Sequence, residues 1–182
     1  MIRSLLQNGL ALIVVCSMLF APQKAMAADQ EYLIKAAFIY NFVKFVEWPD
    51  GRAISQKSSI DICVFGESPM QGTSAVFKAA STAKLGLSLV TENNVQNISG
   101  HCHIVFISSS EEGRLGEILA ALKGHPVLTV SDMDGFADAG GMMGFVADDN
   151  KIRVDVNKKA MVVSGLHVDA QLLEIAHKVI DK

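Results

Sequence analysis

The sequence has few charged residues and few aromatic residues, and neither sign of charge dominates. Of its 182 residues, 19% are charged and 7% are aromatic, and 16 lysines and arginines stand against 19 aspartates and glutamates. No basic cluster exceeds the pair Lys158–Lys159, so the chain lacks the basic face that neutralises nucleic-acid phosphates. Nucleic-acid binding is therefore disfavoured. The modest net charge of -3 and the 50% hydrophobic content also argue against disorder.

Long apolar runs are scarce as well, and the run from Leu10 to Ala21 is shorter than a membrane-spanning helix requires. It follows Arg3 and leads to Ala25-Met26-Ala27, a small-x-small pattern typical of signal-peptidase cleavage. We therefore predict a secretory signal peptide over residues 1–27 and one α/β domain over residues 28–182. An uncleaved anchor is the alternative.

Cysteine is rare, with three in the chain, and Cys16 lies inside the predicted signal peptide. Two cysteines in an oxidising compartment most often form one disulfide, which predicts a bridge between Cys63 and Cys102. The alternative is a catalytic or redox-sensing thiol pair. Their spacing does not match the Cys-x-x-Cys of such pairs, so we favour a structural disulfide.

Strand and helix patterns alternate along the mature chain. A first helix is predicted from Asp29, as its cap, to about Val46, ended by Trp48-Pro49. Further strands are predicted at residues 60–65, 87–91, 103–107 and 127–130, and further helices at 73–80, from Glu111 to Gly124, and at 169–178. This order predicts a layered α/β sandwich with a mixed, mostly parallel sheet and helices on both faces.

The last third of the chain follows another pattern. Residues 141–147 and 151–156 flank Asp148-Asp149-Asn150, which predicts a C-terminal antiparallel hairpin. In its second arm apolar and polar residues alternate, so one face is expected to be dry and the other polar. The glycines of Gly140-Gly141-x-x-Gly144 precede a strand rather than a helix, so we interpret them as a tight entry to the hairpin and not as a phosphate loop.

The predicted first helix is apolar on most sides and must therefore be covered on most sides. One interpretation is burial in the core of the monomer, which we favour, and the other is a partner or dimer surface. The aromatic residues that would form such a surface are Tyr32, Phe38, Phe42, Phe45 and Trp48.

Motifs with catalytic or metal chemistry are weak. His101-Cys102-His103, read as part of a strand, offers two histidines on one face, which is too few ligands for a metal site. Asp132-Met133-Asp134-Gly135 lacks the later ligands of a calcium loop and is better explained as a turn. We therefore expect no metal, no cofactor and no enzymatic activity, because no nucleophile, acid–base pair or ligand set converges.

Arg153 is the most informative charged residue, since it lies in mid-strand between apolar neighbours. One interpretation is a cross-strand pair or a same-face pair with Asp155, which contributes little if exposed. The other is a guanidinium directed at a carboxylate or phosphate ligand, with Asn157 nearby. The sequence does not favour either of these two interpretations of Arg153.

Two stretches carry an ordered set of further features. EYLIKAAFIYNFVKFVEWP, residues 31–49, is a long aromatic helix ending in Trp-Pro, and GMMGFVADDNKIRVDVNKKAMVVSGLHVDAQLLEIA, residues 141–176, contains Phe145, Arg153 and Asn157. The strand IDICVFG and the two later cysteines belong to the same set. Together, behind a signal peptide, these features resemble the YfiR-like family of small periplasmic proteins over essentially the whole mature chain.

This resemblance implies regulation rather than catalysis. Its best-known members repress an inner-membrane diguanylate cyclase by binding its periplasmic sensor region, and an outer-membrane lipoprotein sequesters the repressor. The resemblance also implies homodimers and ligand binding near Arg153. Some relatives carry a second disulfide around the final hairpin, where this chain has Met142, Met143 and Gly144, so redox control through that bridge is not expected.

We therefore expect a periplasmic protein that binds and represses a membrane diguanylate cyclase or another membrane sensor. The N-terminal helix and the final hairpin, including Phe145, are the expected contact surfaces. The alternative is a small-ligand-binding module that uses Arg153 and Asn157.

Overall fold

The computed structural model describes residues 23–49, 58–82, 85–149 and 151–181. The chain divides into two units, residues 1–31 and residues 32–182. In the first unit the described residues, 23–31, are helical, whereas residues 1–22 of the predicted signal peptide lie outside the described residues. Within the described part of the chain, no helix has both the length and the apolar character needed to cross a bilayer.

Helices and strands alternate through the second unit, as predicted. The helices are α1 (Gln23–Phe45), which begins in the first unit, α2 (Ser74–Ala80), α3 (Val95–His101), α4 (Leu115–Leu122), α5 (Lys158–Val163) and α6 (Ala170–Ile175). The strands are β1 (Val46–Glu47), β2 (Ser58–Phe65), β3 (Leu85–Glu92), β4 (Ile104–Ile107), β5 (Leu128–Ser131), β6 (Met143–Asp148), β7 (Lys151–Asn157), β8 (His167–Val168) and β9 (Lys178–Ile180). Short 3-10 segments, Pro69–Thr73 and Ser109–Arg114, precede α2 and α4.

The main sheet has seven strands in the order β3-β2-β4-β5-β6-β7-β9. The pairs from β3 to β6 are all parallel, β6 and β7 form the antiparallel hairpin, and β9 runs parallel to β7. The predicted mixed, mostly parallel α/β sheet with its C-terminal hairpin is therefore confirmed. Strands β1 and β8 form a separate antiparallel pair.

Both faces of the sheet are covered, because successive residues of the central strands enter two different apolar clusters. Ile62 of β2 belongs to the cluster that includes α1 residues, and the next residue, Cys63, belongs to the cluster that includes α3 and α4 residues. Strand β4 alternates in the same way, and all four of its residues are buried. Such continuous apolar strands are typical of parallel sheets with helices on both faces.

The first helix begins before its predicted cap and ends close to its predicted end at about Val46. Asp29 was predicted as its cap, but this residue lies inside α1. The helix ends at Phe45, before Trp48, because Val46 and Glu47 pair with Val168 and His167 of β8. The backbone N–H of Asp169 also donates to the carbonyl of Phe45, at 2.8 Å. Pairing with a distant segment therefore adds to Trp48-Pro49 in ending the helix near the predicted position.

Several short elements escaped the sequence analysis. His101 ends α3 and Cys102 is its capping residue, so the predicted strand conformation of His101-Cys102-His103 is wrong. The predicted last helix ends at Ile175, and residues 178–180 form the edge strand β9 instead. Helix α5 was not predicted at all, although Asn157 caps it by accepting from the N–H of Ala160 at 2.9 Å.

Glycines make the entry to the hairpin, as the sequence suggested. Gly140 has a φ of +104°, a left-handed conformation that favours glycine. Gly141 is buried, and its N–H donates to the carbonyl of Phe136 at 2.9 Å. A Cβ at Gly141 would overlap the ring of Phe136, so the close approach of the loop to strand β6 requires glycine.

Candidate interaction and ligand-binding surfaces

The aromatic residues of α1 and its extension mostly serve the core of the monomer. Phe42 is fully buried and Trp48 is 7% exposed. Tyr32, Phe38 and Phe45 are half-buried and pack against the same core cluster. The interpretation of these residues as core, which the sequence analysis favoured, agrees with this placement, and Tyr32, Phe38 and Phe45 remain partly exposed.

A buried charged cluster joins α1 to the carboxyl end of β5. The Lys35 ammonium lies 2.6 Å from Oδ2 of Asp132, with the two side chains 6% and 11% exposed. The hydroxyl of Tyr32 donates to the same carboxylate oxygen at 2.8 Å, and the Lys35 ammonium also lies 4.4 Å from the centre of the Tyr32 ring. This cluster holds the helix on the sheet by charge-assisted hydrogen bonds.

The cluster also changes the acidity of its tyrosine. Burial is the largest cause that raises the pKa of Tyr32 above its ordinary value of 10.0, and the hydrogen bond to the Asp132 carboxylate raises the pKa further. The positive charge of Lys35 opposes this shift. The tyrosine is therefore held as a neutral donor.

Sequence reasoning did not identify this cluster. Lys35 looks like one of the few polar positions on an apolar helix, and Asp132 looks like a turn residue. A usable signal is the position of Asp132 directly after an apolar strand, because the carboxyl ends of parallel strands meet at one edge of a sheet.

Phe145 lies in an aromatic cluster beneath α1. It is 3% exposed, and its ring centre lies 6.0 Å from those of both Phe38 and Phe42. The Phe145–Phe42 pair is stacked and the Phe145–Phe38 pair is edge-to-face, which are the two favourable geometries. Phe145 therefore supports the helix–hairpin contact from inside, and Phe38 is the partly exposed member.

Arg153 does not pair with Asp155. Its Nε lies 3.5 Å from Oδ2 of Asp148, on the other arm of the hairpin, and both side chains are exposed by more than 40%. Asp155 is 7% exposed and contacts Nδ1 of His177 at 2.7 Å. An exposed pair at this distance contributes little to stability, so the guanidinium is available to a ligand or partner.

Arg153 borders a shallow cavity of about 330 Å³, which we call the hairpin cavity. Its walls are the side of α1 at Phe38, the strand β7 from Lys151 to Val154, and α6. Ile175 of α6 also lines it and is 65% exposed. The two elements predicted as contact surfaces, the first helix and the hairpin, therefore meet at one largely apolar depression with two cationic side chains, Lys151 and Arg153, in its lining.

Asn157 lines a different cavity. Its amide donates to the carbonyl of Ala137 at 2.9 Å and accepts from the N–H of Ala160 at 2.9 Å, and the residue is 7% exposed. It borders a space of about 490 Å³ between α4, α5 and β9, which we call the α4–α5 cavity. Arg153 is not among the residues of that cavity, so the structure does not bring Arg153 and Asn157 together.

The disulfide between Cys63 and Cys102 is present, with a Cα–Cα distance of 5.9 Å. It joins the middle of β2 to the end of α3, and both cysteines are fully buried. Their sulfurs and a ring nitrogen of His101 lie within 4.8 Å of one another, the one group of this kind found among the described residues. Sulfurs joined in a disulfide are not thiolate ligands, so this group does not fit a metal ion.

The crevice where related sheet orders bind ligands is filled here by the chain's own groups. In open α/β sheets ligands bind at the carboxyl ends of strands where the order reverses, which in this sheet is between β2 and β4. There the Ser108 hydroxyl donates to the carbonyl of Glu67, and the N–H of Glu67 donates to Ser110 Oγ at 3.0 Å. Gly66, with a φ of +86°, gives Ser110 the space that it occupies. Because the chain's own side chains occupy this crevice, the hairpin cavity and the α4–α5 cavity are the better candidates for a ligand site.

Known structures share this fold at low sequence identity. One is the ABC domain in complex with L-Trp from Streptococcus pneumoniae, with 12% identity, a TM-score of 0.52, and coverage of 66% of this chain and 55% of that one. Another is a conserved domain protein from Vibrio cholerae, with 10% identity, a TM-score of 0.55, and coverage of 81% and 60%. This chain spans less than two thirds of the length of either protein, and at such identities the likeness concerns the fold alone.

The family comparison is more direct. The model of the YfiR/HmsC-like family matches residues 32–177, a range that contains the charged cluster, the disulfide, the hairpin cavity and all of the α4–α5 cavity lining except Ile180. It also contains every residue that the sequence analysis proposed for a contact or a ligand. With most of its length matched, the chain belongs to the YfiR/HmsC-like family.

Proposed function

We propose that this protein is a periplasmic repressor that binds the periplasmic sensor region of a membrane diguanylate cyclase. Its family is one of periplasmic regulators of diguanylate cyclase signalling rather than of enzymes. Export by a signal peptide over residues 1–27 is part of the proposal. A soluble partner represses a receptor by binding its inactive state better than its active state, so repression requires differential affinity.

The observation that carries the choice of surface is the hairpin cavity. It joins α1 to the hairpin, it has apolar walls, and Ile175 stands 65% exposed at its side. An apolar depression bordered by polar side chains is a feature of interaction sites. Arg153, exposed and weakly paired with Asp148, adds a donor for a carboxylate of the partner.

The sensor segment that fits this surface has an apolar side chain next to an acidic group. The apolar group would enter between Phe38 and Ile175. The apolar surfaces of the group and of these two side chains would then be removed from water when the complex forms. The acidic group would accept hydrogen bonds from Arg153. The net charge of the chain is -3, so the local cations Arg153 and Lys151 rather than the overall charge direct an acidic segment to the cavity.

The test is repression in the native host. Deleting the gene should raise cellular cyclic di-GMP, and the wild-type gene should restore the low level. Ile175→Asp should fail to restore it, because a charge at the cavity must be desolvated on binding. The matched control is Val90→Asp on strand β3, where the residue is 37% exposed and lies away from the cavity.

Direct binding completes the test. Cross-linking in the periplasm identifies the cyclase, and its purified sensor region should bind Ile175→Asp at least about tenfold more weakly than wild type, the loss typical of a residue at the centre of an interface. Unchanged cyclic di-GMP on deletion would refute the regulatory role. Full repression by Ile175→Asp would refute the surface.

We also propose that the protein forms a homodimer and that an outer-membrane lipoprotein competes with the cyclase for it. Leu33 and Ile34 of α1 are 47% and 45% exposed, and these neighbouring aliphatic side chains offer apolar surface for a self-contact. Sedimentation of Leu33→Asp should give a monomer where the wild type gives a dimer. A dimer in both would exclude this contact.

A further inference from the structure

The α4–α5 cavity has the size of a small-molecule site. Its volume of about 490 Å³ falls within the range of roughly 300 to 1,000 Å³ for ligand pockets. Leu119 of α4, Met142 before β6, Val163 of α5 and Ile180 of β9 supply apolar walls. It is separate from the hairpin cavity, with which it shares no lining residue.

The polar groups on its floor are already engaged with backbone. Asn157 uses both its amide nitrogen and its oxygen on Ala137 and Ala160. Thr129 accepts from the N–H of Met142 at 3.0 Å and is 2% exposed. Two polar residues of the lining are therefore already bonded to backbone, and together with the apolar walls this favours a ligand with an apolar body.

The charges on the border of the cavity are unbalanced. Asp138 is neutralised by Lys178, whose ammonium lies 2.6 and 2.8 Å from its two carboxylate oxygens. Lys123 and Lys159 also line the cavity and are exposed. Neither of them forms an ion pair with a carboxylate in the described part of the chain. A protein with net negative charge therefore presents two uncompensated cations at an apolar cavity.

The entrance is also unusually apolar for a surface. Val162 and Val163, neighbours on α5, are 52% and 53% exposed, and Val163 lines the cavity. Partly exposed valines beside two lysines match a ligand with an apolar body and an anionic end. The lysine stems extend the apolar surface while their ammonium groups stay in water.

We propose that the α4–α5 cavity binds a small organic anion, a carboxylate on an apolar body. The apolar body lies between the walls formed by Leu119 and Val163. The carboxylate stays at the border that Lys123 and Lys159 supply. This site is independent of the proposed cyclase contact, which uses the hairpin cavity.

The experiment is calorimetric titration of the full mature chain with three ligands of one chain length. Decanoate, decanol and decyltrimethylammonium share an apolar body and differ in charge. Decanoate should bind at one site per chain, more tightly than decanol, and decyltrimethylammonium should bind most weakly. Equal binding of the three, or no binding of decanoate, would overturn the proposal.

Two pairs of variants locate the site. Ala120→Trp places a large ring in the cavity and should abolish decanoate binding, whereas Ala121→Trp, on the same helix but outside the lining, should not. Lys123→Met and Lys159→Met should each weaken the binding of decanoate about twofold to fivefold, the range for exposed charge pairs. The affinity for decanol should stay unchanged. Lys78→Met, exposed on α2, is the matched charge control.

The results that support the proposed site differ from those that refute it. Loss of binding in Ala120→Trp alone, together with charge-dependent weakening at the two border lysines, supports the site. Equal loss in Ala120→Trp and Ala121→Trp, or equal weakening by Lys78→Met, refutes it. Thermal melting of each variant shows whether the chain is folded. If Ala120→Trp does not fold, the difference between the border lysines and Lys78→Met decides the proposal by itself.

Discussion

Lys35→Met tests the buried charged cluster that attaches α1 to the sheet. In the wild type the Lys35 ammonium and the Asp132 carboxylate are 2.6 Å apart and almost completely buried. The substitution keeps the length of the side chain but leaves the carboxylate with Tyr32 as its remaining side-chain donor, at 2.8 Å. The loss should therefore come from an uncompensated buried charge rather than from lost packing.

The magnitude follows from the burial. Removing one partner of a buried ion pair costs about 3 to 5 kcal/mol. Since Asp132 keeps the hydrogen bond from Tyr32 and its side chain is 11% exposed, we expect the lower end, about 3 kcal/mol in the free energy of unfolding. Replacing both charges, in Lys35→Met with Asp132→Leu, should return the stability to within about 1 kcal/mol of wild type, because no buried charge then remains.

The assay is urea unfolding at neutral pH, monitored by circular dichroism. All variants are compared with the same m value, the slope of the free energy of unfolding against urea concentration. Lys44→Met is the control, because Lys44 is exposed on the same helix. Its ammonium contacts the Tyr40 ring at 4.2 Å and Asn41 at 3.3 Å, so the substitution should change stability by at most about 1 kcal/mol. If Lys35→Met were as stable as this control, or if the double variant lost the sum of the two single losses, the argument from the buried pair would be refuted.

Three further predictions concern stability. Replacing Cys63 and Cys102 with serine opens a loop with a sequence separation of 39 and should lower the free energy of unfolding by about 4 kcal/mol on the chain-entropy relation, and an unchanged urea midpoint would contradict this. The unfolded state loses the Tyr32 proton near pH 10.0, before the folded state does, so stability should fall as pH rises above 10.0 toward the raised pKa. The stability of Tyr32→Phe should fall less than that of the wild type over that pH range. Parallel pH profiles of the two proteins would contradict the raised pKa of Tyr32. Gly141→Ala should cost about 1 to 3 kcal/mol, since its Cβ would overlap the Phe136 ring, and a neutral result in thermal melting would mean that the loop relaxes freely.

The strongly periodic elements could be predicted from the sequence. The buried strands β2, β4 and β5 are continuous apolar runs, and their alternation with helices predicts a parallel sheet before any contact is known. The hairpin of β6 and β7 was equally visible, because its polar turn separates two apolar arms. In these segments local pattern and tertiary environment agree.

The short elements could not be predicted in this way. Helix α3 has seven residues and α5 has six, and so short a helix is not stable without tertiary packing. Strand β9 has three residues and forms only because β7 offers it an edge. The two-residue strands β1 and β8 have the same origin, since they are defined by their pairing with each other across the chain.

The candidate site shows the same division. Sequence patterns identified Cys63 and Cys102 as a disulfide, and they identified the aromatic helix and the hairpin as one family signature. They did not show that Arg153 and Asn157 border different cavities, because two residues of one strand look adjacent in a sequence. Which cavity each borders depends on the helices that pack against the two ends of that strand.

The sequence by itself determined the α/β architecture, the disulfide and the family, since these follow from periodicity, cysteine count and the order of motifs along the chain. Only the tertiary structure decided that Lys35 is buried against Asp132 and that two separate cavities flank β7. The physical reason is that burial and charge compensation depend on residues far apart in the chain. No local pattern contains that information.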